Sequence, residues 1–138
     1  MTKKKSTTKK KRINSKRKGA SEERLLAKYL CFLGYAASYR GKQYKGGLDS
    51  PDVVVPGLKN VHIECKSRRD IGVGTHALQK AMDQALSDAL AHQVPAVMWR
   101  TFRKPWRLSW LHHGHTVTTC GDAEIKYFLD LLNESGSV

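Results

Sequence analysis

Long apolar runs are missing from this chain: no hydrophobic stretch approaches the ~20 residues that a bilayer-spanning helix requires. A secretory apolar region is missing from its N-terminus as well, so the expected setting is cytoplasmic, or the host cytoplasm for a viral protein. Cysteine is scarce. Cys31, Cys65 and Cys120 are odd in number and stand at no spacing used by structural zinc sites, which excludes a disulfide framework and a zinc ribbon and leaves reduced thiols. Acidic residues are absent from positions 1–18, where ten positions are Lys or Arg. The full chain of 138 residues has 25 basic and 12 acidic side chains, a formal charge of +13. Without the tail the balance is 15 against 12, only +3, so the basic character is concentrated at one end.

That end, MTKKKSTTKKKRINSKRK, has almost nothing to bury. Residues 1–18 are therefore expected to form a disordered basic tail, and 19–138 a single domain. Lys and Arg at this density bind phosphate chains through counterion release, giving affinity without sequence choice and a steep salt dependence. Lys16, Arg17 and Lys18 are the part of this DNA-binding arm nearest the domain. A targeting signal or a membrane-surface arm has the same composition; the residues that follow favour nucleic acid.

The chain is organised around SPDVVVPGLKNVHIECKS, residues 50–67. Two short apolar runs, Asp52–Val55 and Val61–Cys65, flank the turn-forming Pro56-Gly57-Leu58-Lys59-Asn60 and read as a β-hairpin. Alternation along the second strand puts His62, Glu64 and Lys66 on one side, expected to be polar, and Val61, Ile63 and Cys65 on the other. Asp52 opens the first strand, and a loop of this length can bring its carboxylate beside Glu64. An E-x-K taken alone is most often the solvated face of a hairpin. With an Asp ahead of it on the preceding strand, the segment resembles the PD-(D/E)xK nuclease superfamily. The resemblance implies that Asp52 and Glu64 hold Mg²⁺, with Mn²⁺ able to substitute, that the backbone carbonyl of Cys65 adds a ligand, and that Lys66 orients or activates the attacking water.

Upstream, an amphipathic helix is expected from Ser21 to Leu33, capped by Ser21, with Leu25, Leu26, Tyr29, Leu30 and Leu33 as its apolar stripe and Gly34 as its C-terminal stop. Glu22 and Glu23 need be no more than acids suiting the positive helix end. The order Lys18-Gly19-Ala20-Ser21-Glu22-Glu23-Arg24, then Gly34-Tyr35, then Arg40, is similar to the opening of the archaeal Holliday-junction resolvases, over roughly residues 17–70 with the hairpin included. By that resemblance the helical metal-site glutamate falls on Glu23 with Arg24 beside it, and Arg24 or Arg40 binds the scissile phosphate or its neighbour. Glu22 is the fallback. The family's serine-glycine signature is not matched by the loop GKQYKGGLDS, which offers only Ser50. Lys42, Tyr44 and Lys45 in this loop, and Arg68 and Arg69 after the E-x-K, are candidate DNA contacts.

An amphipathic helix is expected over His76–His92, with Ala77, Leu78, Ala81, Ala85, Leu86, Ala89 and Leu90 facing the sheet and Gln79 and Gln84 on the polar side. Strands follow at Val94–Phe102 and Trp106–Leu111, joined by the basic turn Arg103-Lys104-Pro105. A last helix covers Gly121–Asn133, with Ile125, Phe128, Leu129 and Leu132 on one face. His112, His113 and His115 lack the partners of a structural zinc site. The expected fold is α/β, a mixed central sheet of about five strands flanked by helices, restriction-endonuclease-like, in the order α-β-β-β-α-β-β-α. The resemblance carries the reading from nuclease to a homodimeric, Mg²⁺-dependent endodeoxyribonuclease that resolves four-way DNA junctions by paired nicks, with a place in recombination and repair. Another endonuclease of the same superfamily, or a non-catalytic basic DNA-binding protein of this fold, are the alternatives.

Overall fold

The computed structural model describes residues 15–36, 38–41 and 51–136. Helix α1 (Ser15–Phe32) leads into the short strands β1 (Tyr39–Arg40) and β2 (Val53–Val54). Strand β3 (Val61–Arg68), helix α2 (His76–Asp88) and strand β4 (Val94–Thr101) form a β-α-β unit, and β5 (Arg107–His112), β6 (Thr116–Cys120), a 3₁₀ turn (Asp122–Glu124) and α3 (Ile125–Ser135) complete the chain. The expected α/β class with a mixed sheet holds, divided into two parts. β1 and β2 pair antiparallel, and the main sheet runs β3-β4-β5-β6, parallel between β3 and β4 and antiparallel beyond.

Alternation along the strands gives each face of the main sheet its own apolar layer. Ile63, Cys65, Ala96, Met98, Leu108 and Trp110 pack against Leu26 and Leu30 of α1 and Ile125, Leu129 and Leu132 of α3. Val97, Trp99 and Leu111 pack against Leu78, Ala81, Met82 and Ala85 of α2. Full burial of a leucine such as Leu26, Leu30 or Leu129, each at 0% exposure, contributes about 1.5–3 kcal/mol. The indole N–H of Trp99 donates to Ser109 Oγ at 2.8 Å, and Ser109 meets Thr119 Oγ1 at 2.7 Å, so these three buried groups satisfy one another across three strands.

Helix α1 begins six residues before the expected start, so Lys16, Arg17 and Lys18 lie in its first turn and Ser21 is an exposed mid-helix residue rather than a cap. Gly34, at φ 108°, ends it as expected, and the Tyr35 N–H closes onto the Leu30 carbonyl at 3.0 Å. Leu25 and Leu86 drop out of their expected apolar stripes and stand exposed. Helix α2 is capped by Thr75, whose hydroxyl accepts the Leu78 N–H, and it stops at Asp88, four residues short of the expected end. Strand β6 is an addition to the expected order, and β1 spans only Tyr39–Arg40. No helix among the described residues is long and apolar enough to cross a membrane. Lys42, Tyr44, Lys45 and Ser50 lie outside the described residues, as does the tail ahead of Ser15.

Candidate active site

The expected hairpin is only partly formed. β2 pairs with β1, and its link to β3 is the Asp52 N–H donating to the Ile63 carbonyl at 3.1 Å. This single link suffices to seat Asp52 over the middle of β3, where its Oδ2 accepts the Cys65 N–H at 2.8 Å. Gly41 fixes the other side. Its N–H donates to the Asp52 carbonyl at 2.8 Å, and a Cβ at this position would overlap the Pro51 carbonyl oxygen, so the backbones approach closer than any side chain permits.

Asp52 and Glu64 meet. Burial, then the Glu64 charge and a hydrogen bond between the two carboxyl groups, push the Asp52 pKa up to about 7, against the Cys65 N–H and the Lys66 ammonium, which pull it down. Glu23 is buried where α1 passes this point. Its pKa is raised by burial and by Asp52, opposed chiefly by Arg40, whose Nε donates to Glu23 Oε1 at 2.6 Å. The Cys65 thiol is likewise pushed up, first by burial and then by Asp52, Glu23 and Glu22, so the local potential is negative.

Glu23, Asp52, Glu64, Cys65 and Lys66 line one cleft of about 680 Å³, whose remaining wall includes Lys18, Arg68 and Arg69. Lys66 is exposed at its mouth. Arg40 enters through its bond to Glu23. Arg24 is exposed on α1; its charge lowers the Glu23 pKa, but it is not part of the cleft lining. Arg68 is held by Asp70 through two bonds of 2.7 and 3.0 Å, whereas no acid pairs with Arg69 among the described residues. Gln79 bonds to Asp83 on the surface of α2, away from the cleft.

Four residues were given no part in the site by the sequence. Arg100 on β4 grips Glu22 with bonds of 2.9 and 3.0 Å and lies over the Trp106 ring at 4.7 Å, so Glu22 has a partner distinct from that of Glu23. A single cation inside the apolar strand VPAVMWRT was its one signal. His62, expected on a wet face, has no exposure at all, because α2 covers that face; its Nε2 meets Glu64 Oε2 at 2.6 Å. Asp88, buried at the end of α2, stands with them: one ligating atom from each of His62, Glu64 and Asp88 falls within 4.8 Å of the others. Phe102, half exposed after β4, has Lys18 Nζ, Arg69 Cζ and Arg103 Cζ at 5.2, 5.6 and 5.1 Å from its ring centre.

Residues 14–130 match the family model described as archaeal Holliday junction resolvase (hjc). No curated protein and no solved structure matches the chain.

Proposed function

Because the chain belongs to the archaeal Holliday junction resolvase family, a family of junction-resolving nucleases, we propose that it is a metal-dependent endodeoxyribonuclease making paired nicks in four-way DNA junctions. The observation that carries this reading is the convergence of Asp52, Glu64 and Glu23 with Lys66 in one basic-walled cleft. The donor set fits Mg²⁺: hard carboxylate oxygens crowd together, and the Asp52 pKa is raised first by burial and then by the Glu64 charge, a repulsion that a dication relieves. Asp52, Glu64 and the Cys65 carbonyl would hold the ion, with Glu23 completing the site, and Mn²⁺ would substitute. When bound, the ion supplies Lewis acidity and lowers the pKa of a coordinated water.

The protein's own groups do the remainder. Lys66, a point charge at the cleft mouth, orients the attacking water toward the phosphorus. Arg40 is fixed by Glu23, and its guanidinium neutralises a non-bridging phosphate oxygen; Arg24 acts on the neighbouring phosphate. Lys18, Arg68 and Arg69 carry the DNA backbone out of the cleft. Phe102 extends this track: three cations gathered round one ring without a described acid partner repel one another unless a polyanion lies across them. The basic tail, residues 1–18, and the loop lysines Lys42 and Lys45 add affinity without choosing the sequence. A substrate of two-fold symmetry calls for two sites, hence a homodimer.

The test is cleavage by purified protein with Mg²⁺ on a synthetic four-way junction, beside linear duplex, single strand and a flap of matched sequence, with Glu64→Ala as control. Symmetric nicks in the junction alone, abolished by the substitution, are the expected result. Equal cutting of all substrates refutes junction selectivity, and tight junction binding without cutting refutes the nuclease.

A further inference from the structure

The His62 imidazole, which the proposed chemistry does not use, lies wholly buried beside the site. Its Nε2 is 2.6 Å from Glu64 Oε2, while its Nδ1, equally buried, has no hydrogen-bond partner. An unsatisfied buried polar atom costs about 1–3 kcal/mol, a cost that an apolar residue under α2 would avoid. The ring's other nitrogen, by contrast, has a partner in Glu64. Behind it, Asp88 is held by Gln84, whose amide donates to Asp88 Oδ2 at 2.6 Å. The carboxylate of Asp88 lies in the same cluster as His62 and Glu64.

We propose that His62 is a positioning residue for the metal-binding carboxylate Glu64. This rests on the reading of Glu64 as a cation ligand. An ionised carboxylate only accepts, so Nε2 carries the hydrogen and Oε2 takes it. With Oε2 held, the Glu64 carboxylate cannot rotate freely, and Oε1 is the oxygen left for a cation shared with Asp52. Such outer contacts orient ligands and are typically worth 10–100-fold in metal affinity or activity.

The test compares His62→Gln with His62→Asn in the full chain. The glutamine amide nitrogen reaches the place of Nε2, and the asparagine amide nitrogen only that of Nδ1. Mn²⁺ affinity is measured by calorimetric titration without DNA, and the Mg²⁺ dependence of junction cleavage is measured beside it. His62→Asn is expected to weaken Mn²⁺ binding 10–100-fold, and His62→Gln to stay within about 3-fold of the native chain by the rescue logic of a retained donor. Metal-free DNA binding is expected to be equal in all. Equal Mn²⁺ affinities for the Gln and Asn variants overturn the proposal. Should His62→Asn not fold, a His62→Gln chain whose Mn²⁺ affinity falls 10-fold or more below the native one overturns it instead. A native chain that takes up no Mn²⁺ refutes the metal-site reading itself, a result distinct from either.

Discussion

Asp52→Asn should stabilise the metal-free protein at neutral to alkaline pH while removing its response to Mg²⁺. In the native chain the Asp52 carboxyl has a pKa of about 7, against an ordinary value of 3.8, because it is buried beside Glu64. The fold thus prefers the protonated form. Between pH 3.8 and 7 the folded state binds more protons than the unfolded state, so stability is fully present below about pH 4, falls as pH rises and levels off above pH 7. The shift of roughly three units, at about 1.4 kcal/mol each, sets an upper bound of about 4 kcal/mol. Asparagine keeps an oxygen to accept the Cys65 N–H and offers an amide hydrogen to Glu64, so the variant loses the repulsion and little else. Thermal melts in chelator from pH 4 to 8 should show the native melting temperature falling, and that of the variant falling less. The gap at pH 8 should be on the order of 10 °C. Saturating Mg²⁺ should narrow the gap, since a ligand at 100 times its dissociation constant contributes about 2.7 kcal/mol to the native chain alone. A variant that melts at or below the native temperature at pH 8 without metal refutes the reasoning.

Gly41→Ala forces a Cβ into the Pro51 carbonyl, so it should displace Asp52, cost about 1–3 kcal/mol as overpacked sites do, and lower cleavage more than DNA binding in paired assays. Arg100→Met strands the largely buried Glu22 and should destabilise by about 1–3 kcal/mol; denaturant titration that finds no change would count against the pair. Phe102→Leu removes the surface on which Lys18, Arg69 and Arg103 gather. It should weaken junction binding and flatten the plot of log affinity against log salt by up to about 0.9 for each phosphate no longer neutralised, leaving the turnover number unchanged.

The E-x-K on β3 and the Asp ahead of it were legible because alternation and the turn residues Pro56 and Gly57 fix which side chains can meet. Glu23 and Arg40 were legible through the order of family-like segments rather than through spacing. Their mutual bond, across 17 residues, was not. Strand β6 was open to reading in principle, since Thr116-Val117-Thr118-Thr119 is a β-branched run. Arg100 and Asp88 resemble ordinary surface charges in the sequence. Nothing local says that one will reach Glu22 from 78 residues away and that the other will be sealed beneath the sheet.

Residue order by itself determined the α/β class, the polar identity of one face of β3, the glycine stop of α1 and the chemistry available to the cleft. These follow from periodicity and residue type, which are properties of neighbours in the chain. Tertiary structure alone decided that the polar face of β3 is covered by α2, so that His62 is buried against Glu64 instead of wet. It also decided that β2 leaves the expected hairpin to pair with β1, yet delivers Asp52 to the Cys65 N–H. Alternation records which side chains share a face; what lies over that face, and hence the dielectric that shifts Asp52 to about 7, depends on elements distant in sequence.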